Sequence, residues 1–179
     1  MCIRDRSSRL ERLTHPDRIL AYRRGRAALA TVLARLGRPD DPGEIAFPHS
    51  EFSLSHTATC AVAVAQAGGS GIGVDLELAG RCVPERGMRL FLTPRERNLL
   101  GPTDDETRLR LWTLKEALFK AHTANEGLTL ASFELEAPGT WLGAAAGAGR
   151  RFRYGSWAVE GGWLAVAIAR GPDPESLEP

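Results

Sequence analysis

The segment of residues 71–77, with the sequence Gly-Ile-Gly-Val-Asp-Leu-Glu, constrains the fold most strongly. Its apolar side chains alternate with glycine or acidic side chains, and a period of two is typical of a β-strand. Such a strand carries Asp75 and Glu77 on one face, about 7 Å apart at the backbone. These carboxylates repel each other unless a cation lies between them, and a divalent metal with hard oxygen ligands, magnesium in particular, is one resolution. The alternative is an exposed edge strand with two solvated acids.

A helix is predicted over residues 111–121, because apolar side chains recur there at helical spacing. Leu111, Leu114 and Leu118 share one face. Trp112 and Phe119 lie together about a quarter-turn or more away. Apolar groups on two sides indicate a helix that is buried between other elements, with Trp112 in the core.

The same helix carries three charged residues, Lys115, Glu116 and Lys120, and charges on a largely buried helix need partners. Lys115 and Lys120 are the only two lysines among 23 basic residues, which sets this segment apart chemically. One interpretation is an ordinary Glu116–Lys120 pair on a solvent-exposed stripe. The other makes Glu116 a third metal-binding carboxylate, while the two lysines neutralise a polyphosphate.

The composition describes a globular chain of 179 residues, of which 43% are hydrophobic and 25% charged. No apolar run approaches the ~20 residues that span a bilayer. The three cysteines have no metal-like spacing and are interpreted as free thiols in a reducing compartment. We therefore expect a soluble, cytoplasmic protein.

Positive charge is concentrated at the start of the chain, although the net charge is only +1. Residues 1–38 contain ten arginines against three acidic residues, whereas the remainder contains 13 basic and 19 acidic residues. The small net charge argues against a general nucleic-acid binder. The first segment is interpreted as a solvated, arginine-rich helix, and contact with an anionic partner is the alternative.

Helices and strands are predicted without the regular alternation of a parallel sheet, so the predicted fold class is α+β. Thr93, Pro94 and Glu96 have the spacing of a capping box at a helix start, which explains Glu96 without any chemistry. The helix that contains residues 111–121 is predicted to run from Thr103 or Asp104 to about residue 122. The other predicted elements are a helix over residues 18–36, a loop over 39–50, strands over 52–56, 61–67 and 71–77, and a hairpin that pairs 157–159 with 164–168.

Residues 71–77, together with the sequence Trp-Thr-Leu-Lys-Glu-Ala-Leu-Phe-Lys at residues 112–120, resemble the paired signature of 4′-phosphopantetheinyl transferases. Glu116 follows Glu77 by 39 positions. The upstream sequence Phe-Ser-Leu-Ser-His at residues 52–56 resembles a segment of the longer, monomeric surfactin-type branch. The resemblance extends over about residues 18–135.

This resemblance implies a fold of two similar α/β halves packed together, with the first half shortened. Residues 1–70 would form the N-terminal half, and residues 71–179 the C-terminal half with the metal and transferase motifs. The first eight residues have no periodicity and are interpreted as foreign or disordered sequence. The sequence Ile-Ala-Phe-Pro-His at residues 45–49 replaces a Gly-Lys-Pro element that is common in relatives.

The activity that the resemblance implies is Mg²⁺-dependent transfer of the 4′-phosphopantetheine group of coenzyme A to a serine of an acyl or peptidyl carrier protein, releasing 3′,5′-ADP. Mn²⁺ is the alternative ion, a monomer is expected, and neither nucleic acid nor membrane is an expected partner. The implied metal ligands are Asp75, Glu77 and Glu116. The implied catalytic residues are Glu116, as the base, and Lys120, and the implied coenzyme A contacts are Arg26, Ser55, His56, Lys115 and Lys120.

Two other functions stay open on the residues alone. In the first, the arginine-rich helix makes the protein a non-catalytic binding module for an acidic partner, and binding depends steeply on salt. In the second, the carboxylates belong to a metal-dependent phosphohydrolase that acts on a polyphosphate with water alone.

Overall fold

The computed structural model describes residues 15–170. The first eight residues, interpreted above as foreign or disordered, lie outside this range. The helices are α1 (Pro16–Arg35), α2 (Pro94–Leu100) and α3 (Asp105–Ala121), with short 3₁₀ helices at Glu85–Leu90 and Leu130–Ser132. The strands are β1 (Phe52–His56), β2 (Ala61–Ala65), β3 (Ile72–Leu78), β4 (Phe133–Leu135), β5 (Leu142–Gly147), β6 (Arg150–Val159) and β7 (Gly162–Ala169). Among the described residues, no helix combines the length and apolar character needed to cross a membrane.

The strands form two antiparallel sheets beside the helices, which confirms the predicted α+β class. β1 and β2 make a two-stranded ribbon, and the other strands make a five-stranded sheet in the order β3-β7-β6-β5-β4. The ribbon packs against α1, while α3 packs against β3, β7 and β6. The division into two similar halves at residue 70, with a shortened first half, remains a prediction.

The predicted helix boundaries agree closely with the structure because capping residues mark them. Thr93 and Glu96 form the predicted capping box of α2, and Asp104 caps α3 by accepting a hydrogen bond from the Thr107 amide at 2.7 Å. The predicted hairpin is the β6–β7 pair. Strand β5 is not predicted by the pattern, because its sequence Leu-Gly-Ala-Ala-Ala-Gly has neither polar alternation nor β-branched residues.

Helix α3 lies deep in the molecule, as its two apolar faces predict. Leu111, Leu114 and Leu118 are fully buried. On the second face, Trp112 packs edge-on against Phe91, with 5.4 Å between the ring centroids. Buried on two sides, α3 holds the charged side chains of its last turns in fixed positions relative to the sheet.

The ribbon is joined to the large sheet by serine hydroxyls. Ser53 Oγ accepts a hydrogen bond from the Val74 amide at 3.1 Å, and Ser55 Oγ accepts one from the Leu76 amide at 3.3 Å. These two bonds place β1 beside β3 although the two strands belong to different sheets. Ser55 thereby comes to lie next to Asp75.

A single glycine sets the distance between α3 and β3. A Cβ atom on Gly73 would lie 2.5 Å from the amide nitrogen of Ala121 and would overlap the carbonyl oxygen of Ala117. Both atoms belong to the helix backbone, so neither can rotate away as a side chain would. Glycine is therefore required at this contact, which brings the last turns of α3 beside Asp75.

We expect Gly73→Ala to lower the free energy of unfolding by about 2–3 kcal/mol, because overpacking costs about 1–3 kcal/mol and the rigid backbone places this site at the upper end. Chemical denaturation measures the change. Gly87→Ala is the matched control, since its Cβ would make an ordinary 3.6 Å contact with the Pro84 ring. The control should change the free energy of unfolding by less than about 0.5 kcal/mol. Equal effects of the two variants would contradict the close packing at Gly73.

Candidate active site

Asp75 is the buried centre of the candidate site. Its side chain is 7% exposed, and Oδ1 accepts hydrogen bonds from Ser55 Oγ at 2.8 Å and from Lys120 Nζ at 2.6 Å. The other carboxylate oxygen, Oδ2, is buried and has no hydrogen-bond partner among the residues that the structure describes. A buried polar atom without a partner is costly. Oδ2 therefore marks a position where a cation or a further donor would be stabilising.

Glu77 lies two residues further along β3, and its side chain is 16% exposed. Its carboxylate forms an ion pair with Arg81, in the turn that follows the strand. The Arg81 guanidinium also lies over the Trp112 ring, 5.1 Å from the ring centroid. Arg81 therefore neutralises Glu77 and connects the end of β3 to α3. The sequence patterns do not single out this arginine, since pairing across a turn has no periodic signal.

Glu116 approaches the same region from α3. Burial raises the pKa of its carboxyl, the charge of Asp75 raises the pKa further, and the charges of Lys120 and Arg81 lower it. Within residues 15–170, no group of three His, Cys, Asp or Glu side chains is gathered closely enough to hold a metal ion. The hard oxygen donors and the unpaired Asp75 oxygen nevertheless fit a divalent cation such as Mg²⁺.

Lys120 pairs with Asp75 rather than with Glu116 one turn earlier. Its ammonium group also approaches the carbonyl oxygen of Val74 at 3.3 Å. The side chain remains 30% exposed, so the ammonium can still contact a ligand. Lys120, Ser55 and Asp75 are thus brought together, in an arrangement that links α3, β1 and β3.

A groove of about 360 Å³ lies between α1 and the ribbon. A second groove of about 230 Å³ shares two of its wall residues and reaches Lys120. Together they form an apolar surface with cationic groups at both ends, and we call it the α1–ribbon groove. Its main residues are Arg18, Tyr22, Arg26, Phe47, Leu54, His56 and Lys120. Ser55 does not line it, because the Ser55 hydroxyl is turned toward Asp75.

Arg26 holds the wall of this groove in place. Its guanidinium donates hydrogen bonds to the carbonyl oxygens of Pro42 at 2.5 Å and Ile45 at 2.8 Å. The same group lies 5.0 Å from the ring centroid of Tyr22 and 5.4 Å from that of Phe47. Arg26 thus fixes the loop before β1 against α1.

The part of the chain that carries the three acids corresponds to a known family. Residues 71–159 match the model of the 4′-phosphopantetheinyl transferase superfamily. Residues 71–159 are thus similar to a domain of this superfamily. The matched stretch contains Asp75, Glu77 and Glu116, whereas α1 and the ribbon precede it. No curated protein matches the chain, and its place in the surfactin-type branch remains a prediction.

The other lysine of α3 lies apart from the groove. Lys115 is fully buried, with its Nζ 2.6 Å from an oxygen of the equally buried Glu96. Burial lowers the pKa of Lys115, and the neighbouring Glu96 charge opposes this shift. Glu96 also accepts hydrogen bonds from the amides of Thr93 at 2.6 Å and Leu135 at 2.7 Å. The predicted capping role of Glu96 is confirmed. Its second role, as the partner of Lys115, has no sequence signal, because the pair is 19 positions apart.

Lys115 also donates a hydrogen bond to the carbonyl oxygen of Phe133. The Glu96–Lys115 pair therefore connects α2, α3 and β4 inside the core. The resemblance implies that Lys115 contacts coenzyme A, but the structure places this side chain at 0% exposure. Its surroundings favour a structural role.

We expect Lys115→Met to lower the free energy of unfolding by about 3–5 kcal/mol, because it leaves the Glu96 carboxylate buried without its cation. Adding Glu96→Gln to this variant should restore part of the loss, since the unpaired charge is then removed as well. Urea denaturation measures both changes.

Arg151→Met provides the control for the Lys115 experiment. The Arg151 pair with Glu136 is largely exposed, at 60% and 48%, and exposed pairs contribute about 0–1 kcal/mol. A Lys115→Met variant of normal stability that has lost affinity for coenzyme A would instead support the ligand contact implied by the resemblance.

Proposed function

We propose that this protein is a 4′-phosphopantetheinyl transferase that moves the phosphopantetheine arm of coenzyme A to a serine of an acyl or peptidyl carrier protein. The superfamily match supports the transferase class. The observation that carries the specific proposal is the buried Asp75 carboxylate. One of its oxygens accepts hydrogen bonds from Ser55 and Lys120. The other oxygen has no hydrogen-bond partner among the described residues. The charge of Asp75 also raises the pKa of the Glu116 carboxyl.

The reaction exchanges one phosphate ester bond for another. The carrier serine oxygen forms a bond to the phosphorus that bears the pantetheine arm, and the bond from this phosphorus to the bridging oxygen of 3′,5′-ADP breaks. The serine loses its proton, and negative charge accumulates on the departing nucleotide. The protein must therefore supply a base and positive charge near the diphosphate.

Two residues of α3 suit these tasks. Glu116 would accept the serine proton, directly or through a water molecule, and its raised pKa makes it a better base than an ordinary carboxylate. Lys120 would neutralise charge on the diphosphate, because its ammonium is fixed by Asp75 and remains partly exposed. Both side chains are half-buried, so a ligand could still reach them.

The three carboxylates would hold the divalent cation in this proposal, with Mg²⁺ as the expected ion and Mn²⁺ as the alternative. When bound, such an ion stabilises negative charge on a diphosphate as a Lewis acid. Asp75 is the best prepared ligand, since Oδ2 is buried without a hydrogen-bond partner among the described residues. Glu77 and Glu116 would complete an all-oxygen donor set of the kind that Mg²⁺ prefers.

The α1–ribbon groove would bind the nucleotide end of coenzyme A. Tyr22 and Phe47 offer aromatic surface to a base, and His56 offers a donor to a phosphate at the end of β1. In this proposal Arg26 supports the groove wall, while Ser55 acts through Asp75. The carrier protein is the second substrate. The monomeric state and the absence of nucleic acid or membrane partners remain predictions.

We expect Asp75→Ala and Glu116→Ala to lower the rate of carrier modification at least about 100-fold, because each removes charge stabilisation or the base, and 100-fold corresponds to about 2.7 kcal/mol. Mass spectrometry measures the phosphopantetheine added to a purified apo carrier protein in the presence of coenzyme A and Mg²⁺. Several carriers are tested, since the partner's identity is open.

Glu160→Gln is the control for these two variants, because Glu160 is an exposed acid in the β6–β7 turn. It should modify the carrier at the wild-type rate. Wild-type activity of the Asp75 and Glu116 variants would refute the site. Release of 3′,5′-ADP from coenzyme A without any carrier modification would instead favour a phosphohydrolase.

We expect His56→Ala to raise the KM for coenzyme A about tenfold while leaving the KM for the carrier protein unchanged. A hydrogen bond to a charged group contributes about 1.5–3 kcal/mol, and a factor of ten corresponds to about 1.4 kcal/mol. Steady-state kinetics with each substrate varied in turn separates the two values. Thr59→Ala, in the exposed turn after β1, is the control. Equal changes in both KM values would place the nucleotide elsewhere.

A further inference from the structure

Arg81 is a charged partner of the candidate metal site, and the proposed reaction gives it no role. Its guanidinium forms an ion pair with Glu77, from a turn outside both α3 and the ribbon. We propose that Arg81 is a built-in counter-ion that holds Glu77 while no metal is bound and must release it for a divalent cation to enter. This inference rests on the proposed metal site and adds a regulatory element to it.

The first argument is the balance of charge around the three carboxylates. Lys120 is bonded to Asp75 and Arg81 to Glu77, while Glu116 is influenced by both cations. The Asp75 charge also acts on Glu116, raising the pKa of its carboxyl, so negative charges in this region disfavour one another. Two of the three carboxylates are therefore neutralised by the protein's own side chains.

The second argument is that the two internal cations differ in whether they leave an oxygen of their partner carboxylate open to a metal. Lys120 bonds to Asp75 Oδ1 and leaves Oδ2 without a hydrogen-bond partner among the described residues. Arg81, by contrast, engages Glu77, the acid needed to complete the donor set. A cation that binds to Glu77 therefore competes directly with Arg81.

The third argument is that the Arg81 side chain has space beside it into which it can move when it leaves Glu77. Its side chain is 47% exposed, and it lines a groove of about 510 Å³ between the turn after β3, the start of α3 and the β6–β7 turn. Glu106 lines the same groove, as does Asp105, which is paired with Arg108, so a displaced guanidinium would meet acidic side chains. An Arg81 side chain displaced from Glu77 would therefore have a groove with acidic walls to occupy.

The test measures cation binding directly, without catalysis. Mn²⁺ serves as the probe, since it prefers the same oxygen donors as Mg²⁺, and electron paramagnetic resonance of free Mn²⁺ gives the dissociation constant. We expect Arg81→Gln to bind Mn²⁺ about two- to fivefold more tightly than the wild type, because a partly exposed ion pair no longer competes. Arg81→Lys, which can still pair with Glu77, should give an intermediate value. Circular dichroism checks that the variants fold.

A double-mutant cycle separates competition for Glu77 from a general loss of positive charge. In the Glu77→Gln background, Arg81→Gln should change the dissociation constant by less than about 1.5-fold, because the competing pair is already absent. Arg153→Gln is the charge-matched control, since Arg153 is exposed on β6. It should not alter Mn²⁺ affinity. Each protein is measured without and with coenzyme A.

The outcomes distinguish this inference from the function on which it rests. Mn²⁺ binding that Asp75→Asn weakens, but that Arg81→Gln leaves unchanged, overturns the counter-ion and leaves the metal site standing. An equal gain in Mn²⁺ affinity from Arg81→Gln with Glu77 present and in the Glu77→Gln background also overturns the counter-ion. The effect would then be long-range electrostatics rather than competition for Glu77. Absence of Mn²⁺ binding by the wild type, with and without coenzyme A, overturns the metal site and the counter-ion together.

Discussion

The contact between α3 and β3 at Gly73 determines the geometry of the whole site. Because this residue has no side chain, the backbone of the helix lies directly on the strand, and the last two turns of α3 reach Asp75. Lys120 can then bond to that carboxylate at 2.6 Å. With a wider spacing, the strand and the helix would present separate charges to solvent. The chemistry proposed for this protein therefore depends on glycine at position 73, because a Cβ atom there would overlap the backbone of α3.

The neighbouring lysines of α3 show how burial assigns different tasks to the same residue type. Lys115 points into the core and is fully buried together with Glu96, so its ammonium group is not accessible to solvent. Lys120, five residues on, lies at the edge of the helix and stays partly exposed while paired with Asp75. One ion pair holds three elements together, and the other keeps a cation available at a groove.

The sequence predicts those features that depend on local rules. Capping by Thr93 and Asp104 fixes the starts of α2 and α3, and the two-residue period of β3 places two acids on one face. Features that depend on distant pairing are not predictable in this way. β5 is a strand because β6 lies beside it, although its own sequence is mostly glycine and alanine. The Glu96–Lys115 pair likewise results from packing between distant segments. The orientation of the Ser55 hydroxyl, which faces Asp75 and not the groove, has the same origin.

The junction between the ribbon and the large sheet has a consequence for how such a molecule can diverge. Strands within a sheet are held by amide and carbonyl groups, which every sequence possesses, so substitutions there rarely break the connection. The ribbon is attached to β3 by hydroxyls of Ser53 and Ser55 that a single codon change can remove. The position of the ribbon relative to Asp75 therefore depends on two replaceable side chains, whereas the large sheet is held by main-chain bonds that substitution leaves in place.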